Sequence, residues 1–208
     1  DFGTSSVGGN LSATASAGTI TQNGGVLTVT GTSAFTTSTN DQAITLGDTG
    51  NALTGAVAFT TGGTLGNVTV DNGTTALDLA ASTISGTLIA IGGAAAGIVD
   101  SGNIVVAGDV TLTTDANNGV INLNTLQQSA GDLVLTTNGT GDATVVNNAA
   151  IDFGTSSVGG NLSATVSAGA ITQDGGALTV TGTSAFTTLT DDQAITLSDT
   201  GNELTGTV

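Results

Sequence analysis

The side chains able to do chemistry in this sequence are almost all carboxylates. Fifteen aspartates and one glutamate stand among 208 residues with no lysine, arginine or histidine, for a formal charge of −16 at pH 7. There is no imidazole for general base catalysis, no thiol or amine nucleophile, and no His/Cys metal site. A pair of carboxylates alone can cleave a glycosidic bond, and Asp191-Asp192 is the one adjacent pair. Neighbouring residues on a strand face opposite ways, and a second copy of the segment carries Asn40 where this one has Asp191. No enzyme is therefore expected. Without cations the electrostatic route to nucleic acid is closed, as is a polybasic contact with a membrane surface.

Carboxylate, amide and carbonyl oxygens do suit a hard cation such as Ca²⁺. The Gly-Gly-x-Gly-x-Asp nonapeptide of calcium β-rolls and the EF-hand loop are both absent. Asp41, Asp48, Asp192 and Asp199 recur between copies and are the calcium candidates. The competing reading is charge at solvated turns, which keeps sheet edges apart and soluble. No other cofactor is expected. Thr28-Val29-Thr30, Thr36-Thr37 and Thr111-Leu112-Thr113 are fragments of a water-ordering, ice-binding array, but threonine is also an ordinary former of exposed strand faces. The formal sequons at Asn10, Asn67, Asn72, Asn138 and Asn161 read as turns and strand starts. Gly62-Gly63 and Gly92-Gly93 lack the lysine and helix of a phosphate loop and read as corners.

The elements that must position these groups follow from a repeat. Residues 152–208 repeat residues 1–57 with nine differences, an offset of 151. The expected organisation is one full repeat, 1–151, continuous with the start of the next, 152–208, inside a longer tandem array. Most differences are small exchanges, including Asn23 to Asp174 and Asn40 to Asp191. A solvated turn survives such changes more readily than a chemical site.

Within the repeat, Gly-Asn/Asp-aliphatic tripeptides open short segments of alternating apolar and polar residues. Examples are Gly9-Asn10-Leu11, Gly66-Asn67-Val68, Gly108-Asp109-Val110 and Gly131-Asp132-Leu133. Period two with β-branched residues predicts half-buried strands, and no helical spacing persists. Leu, Ile, Val and Phe make up a quarter of the chain, above the level at which disorder becomes the default. Strands this short are unstable alone. Wound into coils of roughly 20–25 residues, each strand lies about 4.8 Å from its equivalent in the next coil. About six or seven such coils fill 151 residues.

The inward set would include Leu27, Val29, Phe35, Ile44, Leu46, Val68, Val70, Leu77, Leu79, Val110, Leu112, Ile121, Leu123, Leu133 and Leu135. The absence of proline suits a ladder in which nearly every N–H is used. The competing architecture is an antiparallel sandwich with hairpins at Asn72-Gly73 and Asn138-Gly139. The solenoid is preferred, because a tandem array must stack on itself.

The run Val7-Gly8-Gly9-Asn10-Leu11-Ser12-Ala13-Thr14-Ala15, with Gly18-Thr19-Ile20-Thr21-Gln22 and Leu27-Thr28-Val29-Thr30-Gly31-Thr32, resembles filamentous haemagglutinin-like exoproteins. So do Ala43-Ile44-Thr45-Leu46 and Asn51-Ala52-Leu53-Thr54-Gly55-Ala56-Val57. These are very large bacterial surface proteins, often exported by the two-partner route. The resemblance implies a right-handed parallel β-helix, an extracellular location, and a role in adhesion or biofilm. The expected function is a structural shaft or matrix filament that associates with itself, end to end or laterally, and with surface glycans. It involves no nucleic acid and no membrane insertion. The alternative is a solenoid module that binds carbohydrate or calcium, with ice binding further behind.

Overall fold

The computed structural model describes residues 1–208 and contains twenty-three short β-strands and no helix. Every strand pairing is parallel. The antiparallel sandwich is thereby excluded. Asn72-Gly73 and Asn138-Gly139 sit at turns, with Gly73 at φ +56° and Gly139 at φ +66°, but the strands they join belong to different sheets. The chain turns a corner there rather than folding back beside itself.

Along one face Leu11 pairs with Ser33 and Ser33 with Val57. Further along, Leu77 pairs with Ile98, Ile98 with Ile121, Ile121 with Ala143, Ala143 with Leu162, and Leu162 with Ser184. The steps are 22, 24, 21, 23, 22, 19 and 22 residues, so 208 residues make about nine coils of a β-solenoid. An eleven-stranded sheet forms this face and a nine-stranded sheet the opposing one. A small third sheet joins Ser5–Val7, Leu27–Val29 and Ala52–Leu53. In the second copy the residues matching its first two strands are continuous with longer strands, Ile151–Val158 and Ile171–Val180.

Alternation along each strand points one residue set into a single core between the sheets. All fifteen residues expected to face inward are buried there. Phe35 stacks on Phe59 with ring centroids 5.8 Å apart, and Phe2 meets Phe35 edge-on at 6.0 Å.

The repeat shows how far burial depends on neighbouring coils. Leu162, Ala164 and Val166 are buried beneath the coil before them, whereas their equivalents Leu11, Ala13 and Ala15 are only half-buried. At the other end Ile195 is 45% exposed, while the equivalent Ile44 is fully buried. One sequence thus takes two burial states, decided by whether another coil lies on it. This is the nearest-neighbour stability expected of a quasi-one-dimensional fold.

One corner shows why glycine is required. A Cβ on Gly31 would lie 2.2 Å from Asn10 Oδ1 and 2.7 Å from the Gly9 carbonyl carbon, and one on Gly55 would lie 2.5 Å from the Gly31 carbonyl oxygen. Glycine lets these turns stack at hydrogen-bonding distance, with Gly31 N–H donating to Gly9 O at 3.0 Å.

Candidate functional site

The corners position most of the polar groups singled out above. At these corners a side-chain oxygen from one coil accepts backbone N–H groups from the next. Asn10 accepts from Thr32 (3.0 Å), Asn67 from Thr87 (2.9 Å), and Asn161 from Thr183 (2.9 Å). These three sequon asparagines thus tie coil to coil. Carboxylates do the same. Asp41 accepts from Thr64 (2.7 Å) and Leu65 (2.9 Å), Asp142 from Asn161 (2.7 Å), and Asp100 from Asn124 and Thr125. A carboxylate accepting backbone N–H groups makes a charge-assisted hydrogen bond. In a chain without cations, these amides are the partners the acids have.

The four calcium candidates occupy separate turns. Asp41 adopts φ +62° and Asp192 φ +60°, the left-handed region that aspartate tolerates better than most residues. The two backbone N–H groups on Asp41 hold its carboxyl below the usual value of 3.8. Asp48 and Asp199 each accept from the N–H two residues on, at 2.9 and 2.7 Å. The structure does not bring these four together. Asp191 and Asp192 are both exposed.

The carboxylates that do converge are Asp132, Asp152 and Asp174. One oxygen of each lies within 4.8 Å of the others. Asp132 and Asp152 are paired neighbours on adjacent strands, and Asp174 lies one coil further. Sequence reasoning missed this group, although spacings of 20 and 22 residues match the coil length and were a usable signal. Burial pushes the Asp132 carboxyl up, and the charges of Asp152, Asp109 and Asp174 add to the shift. Asp152 Oδ1 is buried without a hydrogen-bond partner.

This crowding predicts a pH dependence. A carboxyl raised on folding contributes stability fully below its unfolded value and loses that contribution as pH rises through the folded value. The chain should therefore lose thermal stability as pH climbs from 3.8 through the raised Asp132 value. Asp71, 7% exposed and raised chiefly by burial, acts in the same direction. Asp41, lowered on folding, acts oppositely, and its contribution disappears as pH falls below 3.8. Asp132→Asn should flatten the loss on the rising side. Melting profiles that stay parallel in wild type and variant would show that the cluster is not its source.

A second polar system lies inside the coil. Asn51, 1% exposed, accepts from Leu27 N–H (2.9 Å), and its amide donates to Gln22 Oε1 (2.9 Å) and Asp71 O (3.1 Å). Asn202 and Gln173 repeat the pairing in the second copy. Asn72 accepts from Leu53 N–H and donates to Leu53 O and Ala76 O. Asn147 accepts from Gln128 N–H (2.8 Å) and donates to three carbonyls. Buried main-chain groups must be paired, and these amides pair them where the chain bends out of the ladder.

The threonine array is broken. One outward column runs Thr21, Thr45, Thr69, Ile89, Thr111, Val134 in register, so aliphatics interrupt the hydroxyls.

A parallel ladder, coils of near-constant length and corners tied by their own side chains define a tandem-repeat β-solenoid. No helix is long and apolar enough to cross a membrane. Over residues 1–60, 65–137 and 140–208 the chain matches the family described as Repeats of unknown function (DUF5649), and it belongs to that family. The middle match lies wholly inside the first 151 residues, so the family's unit is shorter than the long period read from the sequence. No curated protein and no solved structure matches the chain.

Proposed function

We propose that the chain is a structural repeat segment of a giant extracellular bacterial surface protein, serving as a shaft or matrix filament in adhesion or biofilm. It acts mechanically, without catalysis, and its partners are further copies of itself and surface glycans. The observation that carries this reading is the neighbour-dependent burial of one sequence in two places. The fold is completed by the next coil, which makes length its main variable. The likeness of its coils to filamentous haemagglutinin-like exoproteins supports the location and the adhesive role. The absence of lysine and arginine leaves trypsin-like proteases no cleavage site, which suits an extracellular rod.

Electron micrographs of chains carrying one, two and three 151-residue units test the proposal. Each unit should add roughly 30–35 Å of length at constant width. A particle that widens rather than lengthens would overturn it. Calcium titration by calorimetry separates the shaft from the binding module. A shaft gives only weak heat that salt suppresses, whereas stoichiometric, micromolar binding would favour the module.

A further inference from the structure

Four asparagines precede glycine, at Asn23, Asn72, Asn118 and Asn138, and the fold places them in four different chemical situations. In such a pair the glycine nitrogen, on losing its proton, can attack the asparagine Cγ. Ammonia leaves and a succinimide ring closes. Water then opens the ring at either carbonyl to give aspartate or isoaspartate, so one water enters, one ammonia departs, and nothing is oxidised or reduced. The reaction requires an asparagine side chain free to rotate and a glycine N–H not engaged as a donor.

Asn72-Gly73 fails on both counts. The Asn72 side chain is buried and held by three hydrogen bonds, to Leu53 N–H (2.8 Å), Leu53 O (3.0 Å) and Ala76 O (2.7 Å). Gly73 N–H donates to Asp71 Oδ1 at 2.8 Å. Asn118-Gly119 is also held, because Asn118 Oδ1 accepts from Thr140 N–H and Oγ1, each at 2.9 Å, and Gly119 N–H donates to Ala116 O at 3.0 Å. At Asn138-Gly139 only the side chain is engaged, through one exposed bond to Asp115 O at 2.9 Å. At Asn23-Gly24 both residues are exposed, the side chain makes no hydrogen bond, and the Gly24 N–H has no backbone acceptor.

We propose that Asn23-Gly24 is a site of spontaneous succinimide chemistry in the folded rod, and that the hydrogen bonds of Asn72-Gly73 exclude that pair from the same reaction. Asn138 ranks second and Asn118 third. The second copy places aspartate at the position matching Asn23, and Asp174 is exposed there even with a coil stacked beneath it. Conversion to aspartate at Asn23 therefore yields a residue the coil already accommodates, while adding one negative charge.

The test follows the whole chain at mildly alkaline pH by intact mass and by peptide mapping with elastase, folded and in urea. In the folded chain Asn23 should convert at least about tenfold faster than Asn72, because the bonds holding Asn72 must open first. In urea the four sites should converge to similar rates. Asn23→Gln should remove the fastest phase while leaving the circular dichroism unchanged. Equal rates at Asn23 and Asn72 in the folded chain, or a fastest phase that survives Asn23→Gln, would overturn the proposal.

Discussion

Phe35→Ala should cost about 3–5 kcal/mol of stability, the usual range for emptying a fully buried phenylalanine site. Phe186→Ala, which alters the same residue in the same Ala-Phe-Thr-Thr context, should cost only about 1–2 kcal/mol. Phe35 is fully buried, stacked on Phe59 and met edge-on by Phe2. Phe186 keeps its edge-on partner, Phe153 at 6.1 Å, but has no following aromatic stacked on it and is only partly buried. Local sequence is identical, so the difference isolates the contribution of the stacked coil. Hydrogen exchange during urea unfolding would measure both. Equal losses would mean that each coil is stable on its own and that stacking contributes little.

The second large effect is expected at Asn147. Asn147→Ala strands the Gln128 N–H and the carbonyls of Gln128, Ala149 and Ala150 without their partner, all close to a side chain that is fully buried. A loss of about 2–4 kcal/mol follows from leaving buried backbone groups unsatisfied. Asn10→Ala removes a comparable bond at an exposed corner, where water replaces it, and should cost no more than about 1 kcal/mol. Urea midpoints of the two variants give the comparison. If Asn10→Ala is the more damaging, the exposed corners rather than the interior amides set the stability of the coil.

The two amide systems also mark where sequence reading stops. Strict alternation in segments such as Val110–Thr114 exposes the inward residues directly, because an apolar side chain every second position has one physical meaning in a ladder. Asn51, Asn72, Asn147 and Gln128 carry no such mark. Flanked by Gly, Ala and Asp, they look like solvated turn residues, although the fold buries them against bent main chain. The convergence of Asp132, Asp152 and Asp174 was hidden for another reason. It depends on coils of slightly different length, and irregular pairing between Leu133 and Thr136 shifts the register there. The unit spanning residues 65–137 has diverged in side chains while keeping its coil length, so near-identity between copies revealed the long period and concealed the shorter one.

The two copies wind alike: Leu11 to Ser33 and Leu162 to Ser184 are both 22-residue steps, and Ile20 to Ile44 and Ile171 to Ile195 are both 24. Unequal crossing-over between such copies would delete or insert whole units while recreating only junctions that the molecule already contains. A lineage could then lengthen or shorten its projection in single genetic events, with no new interface to be selected.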